Sequence, residues 1–249
     1  MASPAATALP ATPSQAARRR RLFFPAMALL MAAAVMAGFW NTLYRPPEPL
    51  RPYLLVHGIV VSAWFALFAT QTLLVASGRT ALHRKLGVLW LFLAAAVVAT
   101  ALYTMLQMPE NWRRAGIDID ARRGLIGLVF WGDAGALVAF VTLLWRAVRK
   151  RTRPDAHKRL MLLAMFSIMS PALVRVAGLP VFSGFDGVLL TIVGLLALGA
   201  TLVAYDFVTL RRVHRETLWG VPYFLVVHLA PAFTVPGTAL DDFVLGLIW

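Results

Sequence analysis

The sequence contains no cysteine. Disulfides, thiolate metal centres, covalently attached c-type haem and cysteine nucleophiles are thereby excluded. Charge is scarce as well: 14% of the 249 residues are charged against 60% hydrophobic, and the mean hydropathy is +0.73. A soluble domain of this length needs far more polar surface, so the chain reads as a polytopic membrane protein. Lysine is confined to Lys85, Lys150 and Lys158, all in basic turns, which leaves none inside a span for a retinal Schiff base. No two histidines stand four residues apart, which removes the paired-histidine helix of desaturase-like and site-2-protease-like metal centres. Neither a Gly-x-Ser-x-Gly turn nor a P-loop occurs.

What the chain does have is apolar length. Spanning the hydrocarbon takes roughly 20 mostly apolar residues per helix. Seven runs meet that standard, at about 22–42, 53–77, 86–107, 124–147, 159–178, 188–210 and 218–235. The expected fold is therefore all-α: one seven-helix transmembrane domain over residues 22–235. Ahead of it, residues 1–21 read as a disordered tail ending in Arg18 to Arg21, with the first span retained rather than cleaved. After it, Pro236-Gly237 breaks the chain, and Thr238 with Asp241 resembles a capping box opening a short helix over residues 236–249. That piece is too short to span and is expected to lie on the membrane surface. Ser167, Ser170 and Pro171 predict a bend in the fifth span. Gly132 and Gly135 predict close approach of the fourth span to a neighbour.

The formal charge of +13 acquires meaning from its distribution. With the N-terminus inside, 17 of the 24 basic residues fall on cytoplasmic segments, whereas Glu48, Glu110, Asp118, Asp120, Asp186, Asp241 and Asp242 fall on the other face. This positive-inside pattern predicts an N-in, C-out orientation. The basic excess then faces anionic headgroups of the lipid bilayer, at about 1 kcal/mol per Lys or Arg. No aromatic-basic module accompanies the charge, so nucleic acid is not the expected partner.

Histidine–cation pairs recur at three tips between apolar runs: His83-Arg84, His157-Lys158 and His214-Arg215. They divide the chain into one helix plus three hairpins and bring three of the five histidines to one membrane face, where Asp206 also ends its span. Histidine is the commonest metal ligand and an axial ligand of haem, so two converging tips would form an inner bis-histidine site. The alternative is that these histidines cap helices or contact lipid phosphate. Nearer the other face, His57, Asp133 and Arg175 fall at comparable depth and would relay protons or hold an anion. Alternatively, Asp133 and Arg175 form a pair that locks two helices. His228, inside the last span, is a packing residue or a ligand. His157, Met161, Met165 and Met169 recur every four residues, a stripe that serves core packing or a metal route.

The segment from His57 through His83-Arg84-Lys85-Leu86-Gly87 to Trp90 resembles the second half of the YozB-type small membrane proteins, a family linked to assembly of haem–copper terminal oxidases. His157-Lys158-Arg159-Leu160-Met161 is similar to that family's His-Lys-Lys/Arg-x-Met hairpin, although the two hairpins stand here in the opposite order. The likeness covers a third to a half of the chain and extends to bacterial membrane proteins with His-Arg-x-x-Gly hairpins. It implies a bacterial inner (cytoplasmic) membrane protein associated with haem b or copper through His57, His83 and His157. Respiratory-complex subunits would be its partners, and its role accessory rather than enzymatic. Two further readings remain: a small-molecule or proton-coupled carrier using His57, Asp133 and Arg175, and a scaffold without a chemical site.

Overall fold

In lipid, backbone N–H and C=O groups find no water, so each span must satisfy them internally and the apolar runs become helices. A computed structural model describes residues 15–248, with side chains from residue 21 onward. Residues 1–14 of the expected tail, and Trp249, lie outside the described residues. The helices are α1 (Gln15–Gly38), α2 (Pro52–Ala76), α3 (Thr80–Leu106), α4 (Met108–Arg114), α5 (Arg123–Arg149), α6 (Pro154–Ser167), α7 (Ser170–Ala177), α8 (Gly187–Leu210), α9 (Arg215–Thr234) and α10 (Ala239–Ile248). Six are long and apolar enough to cross a membrane, and α6 with α7 makes a seventh crossing if the bent pair counts as one span. The protein is thus an all-helical, multi-pass membrane protein.

The helices begin earlier than the apolar runs. Hydropathy marks the hydrocarbon slab, whereas helical geometry continues into the headgroup layer. His83 and His157 consequently sit in the opening turns of α3 and α6, rather than in loops, and His214 is the residue that caps α9.

The central element is α6. From Arg159 to Ser167 every residue is buried, enclosed by α5, α9, α8 and α1. The α2–α3 hairpin packs on α1 through α2, which leaves α3 at the periphery. Association in lipid rests on close packing rather than on a hydrophobic drive, and the inner surfaces reflect that. Trp64 of α2 is fully buried, 5.0 Å from Trp90 and 5.4 Å from Phe140 between ring centres, and donates its indole N–H to Met165 Sδ at 3.0 Å. Met161, Met165 and Met169 are all buried, with Met165 engaged as an acceptor in this core. Outward-facing Val88, Phe92, Val193, Phe207 and Val226 are more than half exposed or at that level, as lipid-facing side chains are.

The most extensive helix contact joins α5 and α9. At Gly135 the backbones come so close that a Cβ would lie 2.1 Å from the Val227 carbonyl oxygen. The last helix, α10, does more than rest on a surface: Leu245 is fully buried against Ile126, Phe130, Met108 and Ile119. The Thr238–Asp241 cap forms, with Asp241 N–H 3.4 Å from Thr238 Oγ1. The buried Asp241 carboxylate accepts from Trp131 Nε1 at 2.7 Å and from the Gly237 N–H at 2.9 Å, which ties α10 to α5.

Candidate functional site

His83 and His157 arrive at the basic end of the bundle from different hairpins. Pro154 opens α6, which its fixed φ favours, and sets His157 in the first turn. The ring centres of the two histidines lie 6.4 Å apart at 71°. Imidazoles bound at about 2 Å on opposite sides of one metal ion hold their ring centres roughly 6 Å apart. His157 Nδ1 is 2.9 Å from the Ala147 carbonyl oxygen. Because a carbonyl only accepts, Nδ1 carries the proton and Nε2 keeps its lone pair. A backbone carbonyl on the far ring nitrogen is the arrangement that orients metal-ligating histidines.

On the α2–α3 hairpin, His83 Nδ1, both amide atoms of Gln71 and Trp90 Nε1 are buried without a hydrogen-bond partner. Buried polar groups are nearly always paired, so each orphan calls for a physical reason. His83, Gly87 and Trp90 lie at helical spacing on one side of α3, and a Cβ at Gly87 would meet nothing within 4 Å. A glycine beside open space lets the backbone of α3 approach a ligand. Among the described residues no group of three or more His, Asp or Glu is placed to hold a metal ion. The imidazole pair, with Met161 one turn beyond His157 on α6, is therefore the available donor set.

His214 is engaged otherwise. Its Nδ1 accepts the Glu216 N–H at 3.1 Å, capping α9, and its own backbone N–H donates to Asp206 Oδ2 at 3.0 Å. Arg211 takes the left-handed conformation (φ 56°), and this tight turn returns the chain onto Asp206. Asp206 is fully buried and also binds Arg159, through Nε at 2.8 Å and Nη2 at 2.5 Å. Buried Glu216 is held by Arg146 at 2.9 Å and by Lys150. Two paired buried carboxylates thus fasten α5, α6, α8 and α9 at the basic end.

Burial and the neighbouring Arg159 hold the His214 imidazole below its ordinary value of 6.5, against the opposite pull of Asp206, Asp155 and Glu216. Protons then bind more tightly to the unfolded chain, so this stability is complete above about pH 6.5 and declines as pH falls through that value. His214→Asn retains a capping acceptor without titrating. Thermal unfolding midpoints recorded from pH 8 to pH 5 are expected to fall less steeply in this variant than in the parent. Equal slopes would show that His214 contributes nothing to the acid response.

At the opposite end the three expected partners are neighbours without direct bonds. The Thr100 hydroxyl donates to the Ala96 carbonyl at 2.8 Å, and its oxygen therefore accepts from His57 Nδ1 at 3.0 Å. Arg175 donates to the Pro171 carbonyl at 2.8 Å and covers the Phe39 ring at 4.3 Å. It acts electrostatically on both His57 and Asp133, yet among the described residues no ion pair within 4 Å joins it to Asp133. The expected locking pair is accordingly a longer-range attraction. Beside His57, a shallow groove of about 280 Å³ is lined by Tyr53, Val56, Ala99, Thr100 and Tyr103.

His228 of α9 is 3% exposed, on the helix that packs against α6. Its Nδ1 has no partner, nor does the buried Ser170 hydroxyl that opens α7. Three residues escaped sequence reasoning as site elements. Arg159 and Glu216 lie within basic tips and look solvated, and Gln71 is one polar residue in an apolar run. Glu216 lies ahead of the apolar run at 218–235, and only the structure places it in the first turn of α9, where an acid suits the helix dipole.

No protein-family model, curated protein or solved structure matches the chain.

Proposed function

We propose that this protein holds an imidazole-seeking metal centre, a haem iron or a copper ion, between His83 and His157 at the cytoplasmic end of its bundle. In this reading it serves respiratory complexes of the bacterial inner membrane as a non-enzymatic accessory. One observation carries the proposal: two histidines from separate hairpins stand 6.4 Å apart, one oriented by a carbonyl and the other with an unpartnered buried nitrogen. The open space beside Gly87, one turn from His83 on α3, supplies room. The resemblance to oxidase-assembly proteins points the same way. Haem held by His83 and His157 would supply one-electron chemistry, which suits holding or electron transfer rather than turnover. For copper, Met161 adds a soft donor that favours the reduced ion.

The test is an absorbance spectrum and metal analysis of detergent-purified protein from cells supplied with haem and copper. A Soret band with sharpened reduced bands identifies haem, and about one copper per chain without a chromophore identifies the ion. His83→Ala and His157→Ala are each expected to remove at least nine-tenths of the bound centre, while His214→Asn retains it. Neither group in the parent protein, or equal loading in a His83→Ala/His157→Ala double variant, overturns the proposal.

A further inference from the structure

The α2–α3 hairpin carries a shallow groove at the end away from its basic tip. Tyr53 and Val56, in the opening turns of α2, and Ala99, Thr100 and Tyr103, near the end of α3, line a space of about 280 Å³. Cavities that enclose a whole small ligand start at about 300 Å³, so this one suits a length of chain. α3 is peripheral, and Val56, Ile59, Leu102 and Tyr103 are about half exposed. The groove therefore opens toward hydrocarbon.

Two of the three polar side chains in its walls are spent within the protein. The Thr100 hydroxyl donates to the Ala96 carbonyl at 2.8 Å and accepts from His57 Nδ1 at 3.0 Å. The Tyr53 hydroxyl donates to Asn111 Oδ1 at 2.5 Å and accepts from Arg51 Nη1 at 3.4 Å. The third, Tyr103, meets the Tyr53 ring edge-on at 5.3 Å, in the last turn of α3, where tyrosine suits the membrane boundary. Walls of this kind offer contact rather than hydrogen bonds, and an unfilled gap beside them forfeits dispersion energy. Hydrocarbon is the matching occupant.

A cation stands at the mouth. The Arg51 guanidinium lies 5.9 Å from the centre of the Tyr53 ring. Among the described residues no carboxylate comes within 4 Å of it, and Glu110 of α4 is paired with Arg114 at 2.6 Å. Guanidinium binds phosphate oxygens through two parallel N–H bonds. An apolar groove ending at such a cation is complementary to a molecule with a hydrocarbon tail and an anionic phosphate head.

We propose that the groove between α2 and α3 holds one acyl chain of an anionic phospholipid whose phosphate is bound by Arg51. The site lies at the opposite end of α3 from His83, so haem or copper content should be unchanged in its variants.

The experiment follows the thermal unfolding midpoint of the full chain purified in maltoside micelles. Dioleoyl-phosphatidylglycerol is titrated against dioleoyl-phosphatidylcholine, whose own cation competes with Arg51 for the phosphate, and against sodium phosphate at constant ionic strength. The parent is expected to show a saturable rise, half-complete at a phosphatidylglycerol concentration at least tenfold below that of phosphatidylcholine. Ala99→Phe, at an exposed position, fills the groove and should raise the half-saturating concentration at least tenfold. Val88→Phe, 62% exposed elsewhere on α3, should bind as the parent does. Arg51→Gln should abolish the preference between the two lipids. Its side chain makes no cap bond to α2, so this variant decides alone if Ala99→Phe does not fold. Equal curves for the two lipids on the parent, the same rise from sodium phosphate, or undiminished binding in Ala99→Phe overturns the proposal.

Discussion

Asp206→Asn is expected to destabilise the protein by about 3–5 kcal/mol, because it removes the buried counterion of Arg159 and leaves that charge only the exposed Asp155 carboxylate. The substitution preserves shape, so the loss is electrostatic. Arg159 is 1% exposed; besides Asp206, it donates to the Asp155 carbonyl at 2.8 Å and pairs at 3.6 Å with the exposed Asp155 carboxylate. The His214 N–H loses its anionic acceptor in the same step. Thermal or denaturant unfolding in detergent measures the effect. Arg159→Met combined with Asp206→Leu should recover most of the stability, since a well-packed apolar pair can replace a buried ion pair at little cost. A single variant within about 0.5 kcal/mol of the parent, the range of ordinary surface changes, would mean that Arg159 reaches water.

Gly135→Ala is the second large effect. Its new Cβ would lie 2.1 Å from the Val227 carbonyl and 3.2 Å from His228 Cα. Backbone cannot yield as a flexible side chain can, so α5 and α9 must separate. Overpacking of this kind costs about 1–3 kcal/mol and occasionally more. Two neighbours in α5 supply the contrast. Gly132→Ala meets only Ala232 Cβ at 3.5 Å, an ordinary contact, and Gly124→Ala meets nothing within 4 Å. Both are expected to be neutral or to stabilise by up to about 1 kcal/mol through helix propensity. Unfolding midpoints that rank Gly135→Ala with the other two would refute the α5–α9 approach.

Individual residues divide sharply in how much of their role was readable beforehand. Gly132 and Gly135 flanking Asp133 announced a close helix contact, but not that α9 makes it. Ser167, Ser170 and Pro171 announced a bend; its 49° angle and the burial of the helix before it come from packing. The histidine tips looked equivalent in sequence, and the structure separates them. His83 faces His157, whereas His214 spends its ring on its own helix cap. Arg159 stands in a run of His157, Lys158 and Arg159 that reads as a solvated basic turn. Helical spacing turns only that member toward Asp206, while Lys158 stays half-buried near Phe24.

The sequence by itself determined the class of protein, the positions of the crossings and the strongly basic end. Those properties follow from transfer of apolar residues into lipid and from the distribution of charge, both nearly additive along the chain. Tertiary structure alone decided which tips meet, which acids are buried against which cations and where buried side chains are left without partners. Between lipid-facing helices the hydrophobic effect expresses no preference, so helix pairing rests on small residues and shape at a few contacts. Gly135 against Val227, and Trp64 against Met165, are contacts of that kind, specified by two distant segments at once and by neither alone.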